Sequence, residues 1–175
     1  GGATSLPVLQ RLDGEELPAE VRRVGFRIPP EHIVEVEGFR VASLEVTAIS
    51  AAMYDSPDHA LTIVGQAIRR LAGYPMTAPS DDQRAEGRRV KEGLLTMLRA
   101  NPAWRRGQKR AARIIELADG ANTNIAEFRG HHLLMALGFP EVIPQAVVVL
   151  ANGRNVPDFH IPLIDAYVEI DGREK

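Results

Sequence analysis

The spacing of hydrophobic positions changes along the chain, and the first part of the sequence has the spacing of β-strands. Two short runs rich in apolar and β-branched residues, 33–36 and 39–41, are separated by Glu37-Gly38. Apolar runs joined by a two-residue turn that contains glycine are typical of a β-hairpin. A further strand is expected over 21–28. Residues 1–42 are therefore predicted to be a short β element.

From residue 43 the period becomes helical. Apolar side chains recur every three or four positions, which is the spacing that places them on one face of an α-helix. Polar start signals and proline or glycine stops divide 43–119 into four predicted helices. They begin after Ser43, at His59, at Asp81 and at about Arg105. This order predicts a compact helical subdomain.

The last part of the chain, 120–175, combines one more helix with strands. A fifth helix is predicted from about 123 to 137, capped by Asn122 or Asn124. Strands are expected over 145–150 and 155–159, and another strand is expected to contain Val168 and Ile170. Because helices and strands occupy separate stretches, the predicted fold class is α+β.

Composition limits the classes of protein to which the chain can belong. It has 175 residues, 45% of them hydrophobic and 25% charged, which is typical of a globular protein with a buried core. There is no cysteine, so disulfides, thiolate metal sites and cysteine nucleophiles are excluded. No apolar run approaches the roughly 20 residues that a membrane span needs. We therefore expect a cytoplasmic protein without a membrane partner.

Basic residues cluster between 84 and 113, although the net charge of the chain is only −2. In this block only Glu86 and Glu92 oppose the basic side chains, which are Arg84, Arg88, Arg89, Lys91, Arg99, Arg105, Arg106, Lys109, Arg110 and Arg113. Such a block indicates either solvated helix faces or a surface that contacts phosphates, where arginine offers paired donors. The sequence leaves both interpretations open.

Three acidic residues near the end of the chain have a spacing that suits a metal site. Glu169 and Asp171 are two positions apart in a predicted strand, so their side chains are expected on one face. Pro162 separates them from Asp158, and a hairpin there would bring Asp158 beside the second strand. Carboxylates bind hard cations such as Mg²⁺ or Mn²⁺, which assist phosphodiester hydrolysis. The alternative is that these acids are ordinary solvated turn residues.

A set of short motifs in the second half of the chain occurs in a recognisable order. They are Trp104-Arg105-Arg106-Gly107, Glu116-Leu117-Ala118-Asp119, Ala126-Glu127, Leu137-Gly138-Phe139-Pro140, Gln145, Asp158-Phe159 and Glu169-Ile170-Asp171-Gly172. With this set, residues 104–175 resemble the C-terminal region of AbiEi-type antitoxins and related actinobacterial proteins. Those proteins carry a very-short-patch-repair-like endonuclease domain of the PD-(D/E)XK superfamily. The hairpin over 33–43 resembles the same proteins more loosely.

The resemblance implies a domain organisation. Residues 1–42 are expected to be a remnant of an upstream region, 43–119 a helical subdomain with a basic face, and 120–175 a truncated restriction-endonuclease-like α/β unit. The chain is accordingly expected to be a fragment that lacks both ends. It departs from the family pattern at Asn122-Thr123-Asn124-Ile125, where many relatives have Ser-Glu-Ser-Pro.

The resemblance also implies residue roles. Asp158 would be the central ligand of Mg²⁺ or Mn²⁺, Glu169 the second ligand and Glu127 a supporting acid. Asp171 or Lys175 would act near the attacking water, with His131 as a further candidate for proton transfer. The residues expected to contact DNA are Arg105, Arg106, Lys109, Arg110, Arg113 and Gln145.

Three functions remain open at this point. The first is a metal-dependent DNA endonuclease of toxin–antitoxin or defence type. The second is a non-catalytic antitoxin or transcriptional regulator that retains the nuclease fold and has a cognate toxin as partner. The third is a helical interaction domain with a small sheet.

Overall fold

The computed structural model describes residues 27–150 and 153–171. These residues belong to two compact units, which meet in sequence between Ser43 and Leu44. Helices and strands occupy separate segments of the chain, so the predicted α+β class is confirmed. The strand expected over 21–28 lies almost entirely outside the described residues.

The first unit is the predicted β-hairpin. Strand β1 (Ile33–Val36) pairs antiparallel with β2 (Phe39–Ala42). Between them Glu37 and Gly38 have φ angles of 50° and 82°. Positive φ at both central residues gives a tight turn whose twist matches that of the two strands. The hairpin expectation is therefore confirmed.

The second unit contains five α-helices in its described part, and all five were predicted. They are α1 (Leu44–Tyr54), α2 (Pro57–Leu71), α3 (Asp81–Ala100), α4 (Gln108–Leu117) and α5 (Ile125–Ala136). Helix α3 has a capping box, in which Ser80 and Gln83 exchange hydrogen bonds between side chain and backbone. Helix α5 is capped by Asn124, whose side chain accepts from the amide of Glu127 at 3.0 Å.

Three helices begin at different residues from those predicted, and one of them is α5, which begins at Ile125 instead of about 123. Helix α2 begins two positions early, at Pro57, because proline is already set for the first helical position. Helix α4 begins at Gln108 instead of about Arg105. A 3₁₀ turn over Pro102–Trp104 and a left-handed Gly107, with φ of 93°, come first and delay its start.

The core of the second unit is formed by the helices together with one strand. Trp104 and Phe159 are its largest fully buried side chains. Apolar residues of the first four helices are also buried, including Val46, Ile49, Val64, Ile68, Leu94, Leu98 and Ile115. None of the described helices combines the length and apolar character that a membrane span requires.

The strands after α5 are shorter than predicted and form two small sheets. They are β3 (Ile143–Pro144), β4 (Val148–Leu150), β5 (Gly153–Asn155), β6 (Phe159–Ile161) and β7 (Ala166–Val168). Strands β4 and β5 pair with each other, while the second sheet has the order β3-β6-β7.

Two of the strand predictions were wrong in their extent. A strand does not run through Gln145, because that residue has a φ of 54°, outside the β region. The predicted strand over 155–159 is interrupted at Pro157, which has no amide hydrogen for a ladder. Phe159 instead belongs to β6 and pairs with β3 and β7.

The hairpin expected around Pro162 is present. Strands β6 and β7 are antiparallel, with Phe159 opposite Val168. A 3₁₀ turn over Pro162–Ile164 and a left-handed Asp165, with φ of 47°, join them. Strand β7 ends at Val168, however, so the prediction that Glu169 and Asp171 lie on one strand face was wrong. The ladder stops because the amide of Ile170 donates to a side chain, that of Asp158, and not to a neighbouring strand.

Candidate functional site

The two predicted metal ligands, Asp158 and Glu169, leave the same end of the β6–β7 hairpin. Asp158 immediately precedes Phe159, and Glu169 immediately follows Val168, the residue paired with Phe159. The amide of Ile170 donates to Oδ2 of Asp158 at 2.6 Å. The side chain of Asp158 therefore lies against the backbone of the segment that carries Glu169.

The third predicted acid does not complete a cluster with these two. Asp158 is half-buried, whereas Glu169 and Asp171 are exposed. Within the described residues no group of three histidine, aspartate or glutamate side chains is arranged to hold a metal ion. The predicted convergence of three acids is therefore not found there. Lys175, the other expected catalytic residue, lies outside the described part of the chain.

Glu127 is buried, with 4% of its surface exposed, and its carboxylate is engaged close to its own helix. It accepts hydrogen bonds from the amide of Thr123 at 2.7 Å and from the hydroxyl of Thr123 at 2.6 Å. The side-chain amide of Asn124 donates to it as well. These bonds stabilise the first turn of α5. Donor groups at the start of a helix have no carbonyl of the same helix to bond, and the carboxylate of Glu127 accepts hydrogen bonds from them instead.

Helix α5 packs on the open end of the hairpin. A Cβ atom at Gly130 would lie 2.8 Å from Cδ1 of Ile170 and 3.3 Å from Cε2 of Phe159. On the same helix the ring of His131 lies 5.7 Å, between ring centroids, from the ring of Phe159. The helix that carries Glu127 and His131 thus supports the segments that carry Asp158 and Glu169.

His131 is buried and held by a neighbouring amide. Its Nδ1 lies 3.0 Å from the side-chain nitrogen of Asn122. An amide donor on Nδ1 leaves the ring proton on Nε2 in the neutral form. Burial lowers the pKa of His131, and the nearby charge of Asp119 opposes this shift. The ring is therefore neutral at physiological pH.

Three residues of the basic block hold the fold together. Arg84 donates to the carbonyl oxygens of Pro144 and Gln145, at 2.8 and 3.2 Å. The ammonium of Lys91 donates to the carbonyl of Glu116 at 2.7 Å. Arg110 donates to the carbonyls of Ala52, at 2.8 Å, and Asp55, at the end of α1. Cations suit the last carbonyls of a helix, so Lys91 and Arg110 stabilise the ends of α4 and α1, while Arg84 ties α3 to the end of β3.

The other basic residues of the block are exposed, namely Arg88, Arg89, Arg99, Arg105, Arg106, Lys109 and Arg113. We call them the cationic surface. It includes four of the six residues predicted to contact DNA. The remaining two are differently placed, because Arg110 is engaged with α1 and Gln145 is buried, with 5% exposed.

The second unit also contains a cleft of about 720 Å³ that was not predicted from the sequence. Its walls include Tyr74, residues of α3, the loop after α4, His131 and the segment 140–144. Charged side chains meet there: the pKa of Lys91 is lowered by burial, against the opposing charge of Asp119. The residues that line the cleft come from distant segments of the chain. The sequence therefore indicated only that they lie in polar helical stretches, and not that they meet.

Comparison of the chain with protein-family models, with curated protein sequences and with solved structures finds no match.

Proposed function

We propose that the protein interacts with DNA and carries a Mg²⁺-dependent endonuclease-like domain of the PD-(D/E)XK type, in a toxin–antitoxin or defence system of the cytoplasm. One observation carries this proposal. Asp158 and Glu169 leave the same end of the β6–β7 hairpin, and Asp158 is bonded to the amide of Ile170, directly after Glu169.

The donor set at this end suits a hard cation. Two carboxylates and neighbouring backbone carbonyls are the oxygen ligands that Mg²⁺ and Mn²⁺ prefer. Such an ion, when bound, lowers the pKa of a water molecule and neutralises charge that builds up on a phosphate. The bond from Ile170 occupies Oδ2 of Asp158, so it fixes the carboxylate and leaves Oδ1 as the candidate metal-binding oxygen.

The cationic surface supplies the second requirement, which is affinity for the DNA backbone. Arg105, Arg106, Lys109 and Arg113 are exposed. No hydrogen bond or ion pair within the described residues engages their side chains. Arginine and lysine side chains that contact phosphates release counterions from the DNA. This release supplies a large part of the free energy of DNA binding.

Cleavage assays with matched aspartate variants test the nuclease proposal. Full-length protein is incubated with plasmid DNA and Mg²⁺ or Mn²⁺, and Asp158→Asn is compared with Asp165→Asn. Asp165 lies at the opposite end of the same hairpin, and asparagine tolerates its left-handed backbone. We expect cleavage by the wild type and by Asp165→Asn, with at least about a hundredfold loss for Asp158→Asn, typical of a removed catalytic group.

Two outcomes would reject the nuclease proposal: equal cleavage by both variants, or none by the wild type with either metal. Because Asp158 also accepts the amide of Ile170, circular dichroism must show that Asp158→Asn is folded at the assay temperature.

A non-catalytic antitoxin or regulator, with a cognate toxin as partner, is the second candidate. It is favoured by the placement of Glu127, whose carboxylate is fully engaged in capping α5. In this case the cationic surface would bind DNA without cleaving it. Arg113→Glu should then weaken binding to the protein's own promoter. It should also reduce, by about one, the steepness with which the logarithm of the binding constant falls with the logarithm of the salt concentration. Arg154→Glu, an exposed position outside the block, is the matched control.

A further inference from the structure

Gly87 makes room for a tyrosine hydroxyl in the cleft of the second unit. A Cβ atom at this position would lie 2.1 Å from the hydroxyl oxygen of Tyr74. The phenol of Tyr74, which lines the cleft, takes the space that a side chain at position 87 would fill. Within the described residues the hydroxyl has no hydrogen-bond partner.

Three cations of α3 line the cleft beside this hydroxyl. Arg84, Arg88 and Lys91 lie at positions i, i+4 and i+7, which form one stripe of a helix. Lys91 uses one of its donors on the carbonyl of Glu116 and keeps two. The side chain of Arg88 is exposed and has no partner among the described residues.

Acidic groups of the cleft offset part of this positive charge, and the charge of the half-buried Asp119 acts on both Tyr74 and Lys91. Oδ1 of Asp119 accepts the amide of Ala121 at 2.8 Å. Asp81, Glu116 and Glu141 are exposed, so solvent and salt screen their charges. Arg84 and Lys91 are half-buried and are screened less. The hydroxyl of Tyr74, the guanidinium of Arg88 and two donors of Lys91 nevertheless have no partner among the described residues.

Tyr74 remains a donor at neutral pH. Burial, together with the charge of Asp119, raises the pKa of Tyr74 to about 12. A ligand that satisfies a phenol, an ammonium and a guanidinium must offer several acceptor oxygens close together. A phosphate group does so, and arginine recognises it through paired hydrogen bonds.

We propose that this cleft binds a phosphomonoester about the size of a mononucleotide, either a free nucleotide or the 5′-phosphorylated end of a DNA strand. A volume of about 720 Å³ lies in the roughly 300–1,000 Å³ range of small-molecule sites. The proposal uses none of the residues of the β6–β7 hairpin and is therefore independent of the nuclease assignment.

Isothermal titration of the full-length protein tests the ligand class. The probes are 2′-deoxyadenosine 5′-monophosphate, deoxyadenosine, and one short oligonucleotide with a 5′-phosphate or a 5′-hydroxyl. We expect saturable binding of the monophosphate or of the 5′-phosphorylated strand, and none of their phosphate-free counterparts. Binding of the monophosphate indicates a nucleotide site, and binding of the oligonucleotide alone indicates a DNA end. Equal binding with and without phosphate, or no binding of any probe, overturns the proposal.

Matched variants of α3 locate the site. Arg88→Gln should weaken binding about tenfold or more, the usual effect of losing a hydrogen bond to a charged group. Arg89→Gln should leave binding unchanged, because Arg89 pairs with Glu86 at 2.7 Å and does not line the cleft. An equal loss in both variants would indicate non-specific attraction and would also overturn the proposal.

A glycine pair on the same helix gives a test without a charge change. Gly87→Ala displaces the Tyr74 hydroxyl and should weaken binding, whereas a Cβ at Gly93 meets nothing within 4 Å. Gly93→Ala should therefore bind as the wild type does. Identical affinities in the two alanine variants would contradict the role of Tyr74, and Tyr74→Phe provides the direct check.

Discussion

The ring of Phe128 occupies the space that a side chain at Gly65 would need. A Cβ atom on Gly65 would lie 2.2 Å from Cζ and 2.4 Å from Cε1 of that ring. Phe128 is buried, with 2% of its surface exposed. This contact brings α5, which carries Glu127 and His131, directly against α2.

Gly65→Ala should lower the free energy of unfolding by about 1–3 kcal/mol, because overpacking a close contact outweighs the gain in helix propensity. Gly93→Ala, in an open position, should instead raise it by about 0.5–1 kcal/mol. Urea denaturation of the two variants checks both signs. A stabilised Gly65→Ala variant would show that the two helices are not in close contact.

Glu127→Ala should destabilise the protein by about 1–3 kcal/mol, because three donors near the start of α5 lose a charged acceptor. Glu92→Ala, an exposed glutamate of α3, should change stability by less than about 0.5 kcal/mol. Thermal unfolding followed by circular dichroism measures the difference. If the two variants were equally stable, the capping role of Glu127 would be refuted.

Arg110 and Arg113 lie three positions apart on α4 and should behave differently. Arg110→Ala should lower the free energy of unfolding by about 1–3 kcal/mol, since it leaves the carbonyls of Ala52 and Asp55 without their charged donor. Arg113→Ala should hardly change stability but should weaken DNA binding and reduce its salt dependence. Denaturation and salt titration of both variants separate the two roles. The reverse assignment would contradict the division of the basic block.

His131 should make stability depend on pH below neutrality. Burial, assisted by Lys91 and His132 and opposed by Asp119, holds the pKa of His131 below its ordinary value of 6.5. Below about pH 6.5 the unfolded chain therefore binds more protons at this position than the folded protein does. The stability contributed by the neutral ring is complete above this pH and decreases as pH falls toward the folded pKa, by at most about 1.4 kcal/mol per pH unit.

Urea denaturation between pH 5 and pH 8 measures this dependence. In His131→Asn the part of the pH dependence of the unfolding free energy that arises from His131 should disappear. His132→Asn, which changes the exposed neighbour, should retain it. An unchanged slope in His131→Asn would exclude His131 as the source.

Local signals in the sequence were sufficient to predict the helices and two hairpins. The turn at Glu37-Gly38 and the cap Asn124 each mark an element boundary, through special φ angles and a local hydrogen bond respectively. Such signals depend on a few neighbouring residues. They failed at Gln145, whose positive φ is accompanied by distant contacts, the carbonyl bond to Arg84 and the amide bond to Asp158.

The candidate sites were less predictable because they depend on tertiary contacts. Sequence spacing indicated that Asp158 would return beside the strand of Glu169, but it did not predict where β7 ends. From the sequence, all residues of the basic block were also interpreted in the same way. Only the structure separates Arg84, Lys91 and Arg110, which bind backbone carbonyls, from the cationic surface. The cleft was missed because Tyr74, Asp119 and His131 are far apart in the sequence.

A continuous path of hydrogen bonds leads from α3 to the candidate metal ligand. Arg84 holds the carbonyl of Gln145 at 3.2 Å, and the amide of Gln145 donates to the backbone carbonyl of Asp158 at 2.9 Å. The orientation of Asp158 therefore depends on a guanidinium that belongs to a different helix and also borders the cleft. Random mutagenesis that selects for altered Asp158-dependent activity should recover substitutions at position 84, even though that residue would touch neither the ion nor the scissile bond.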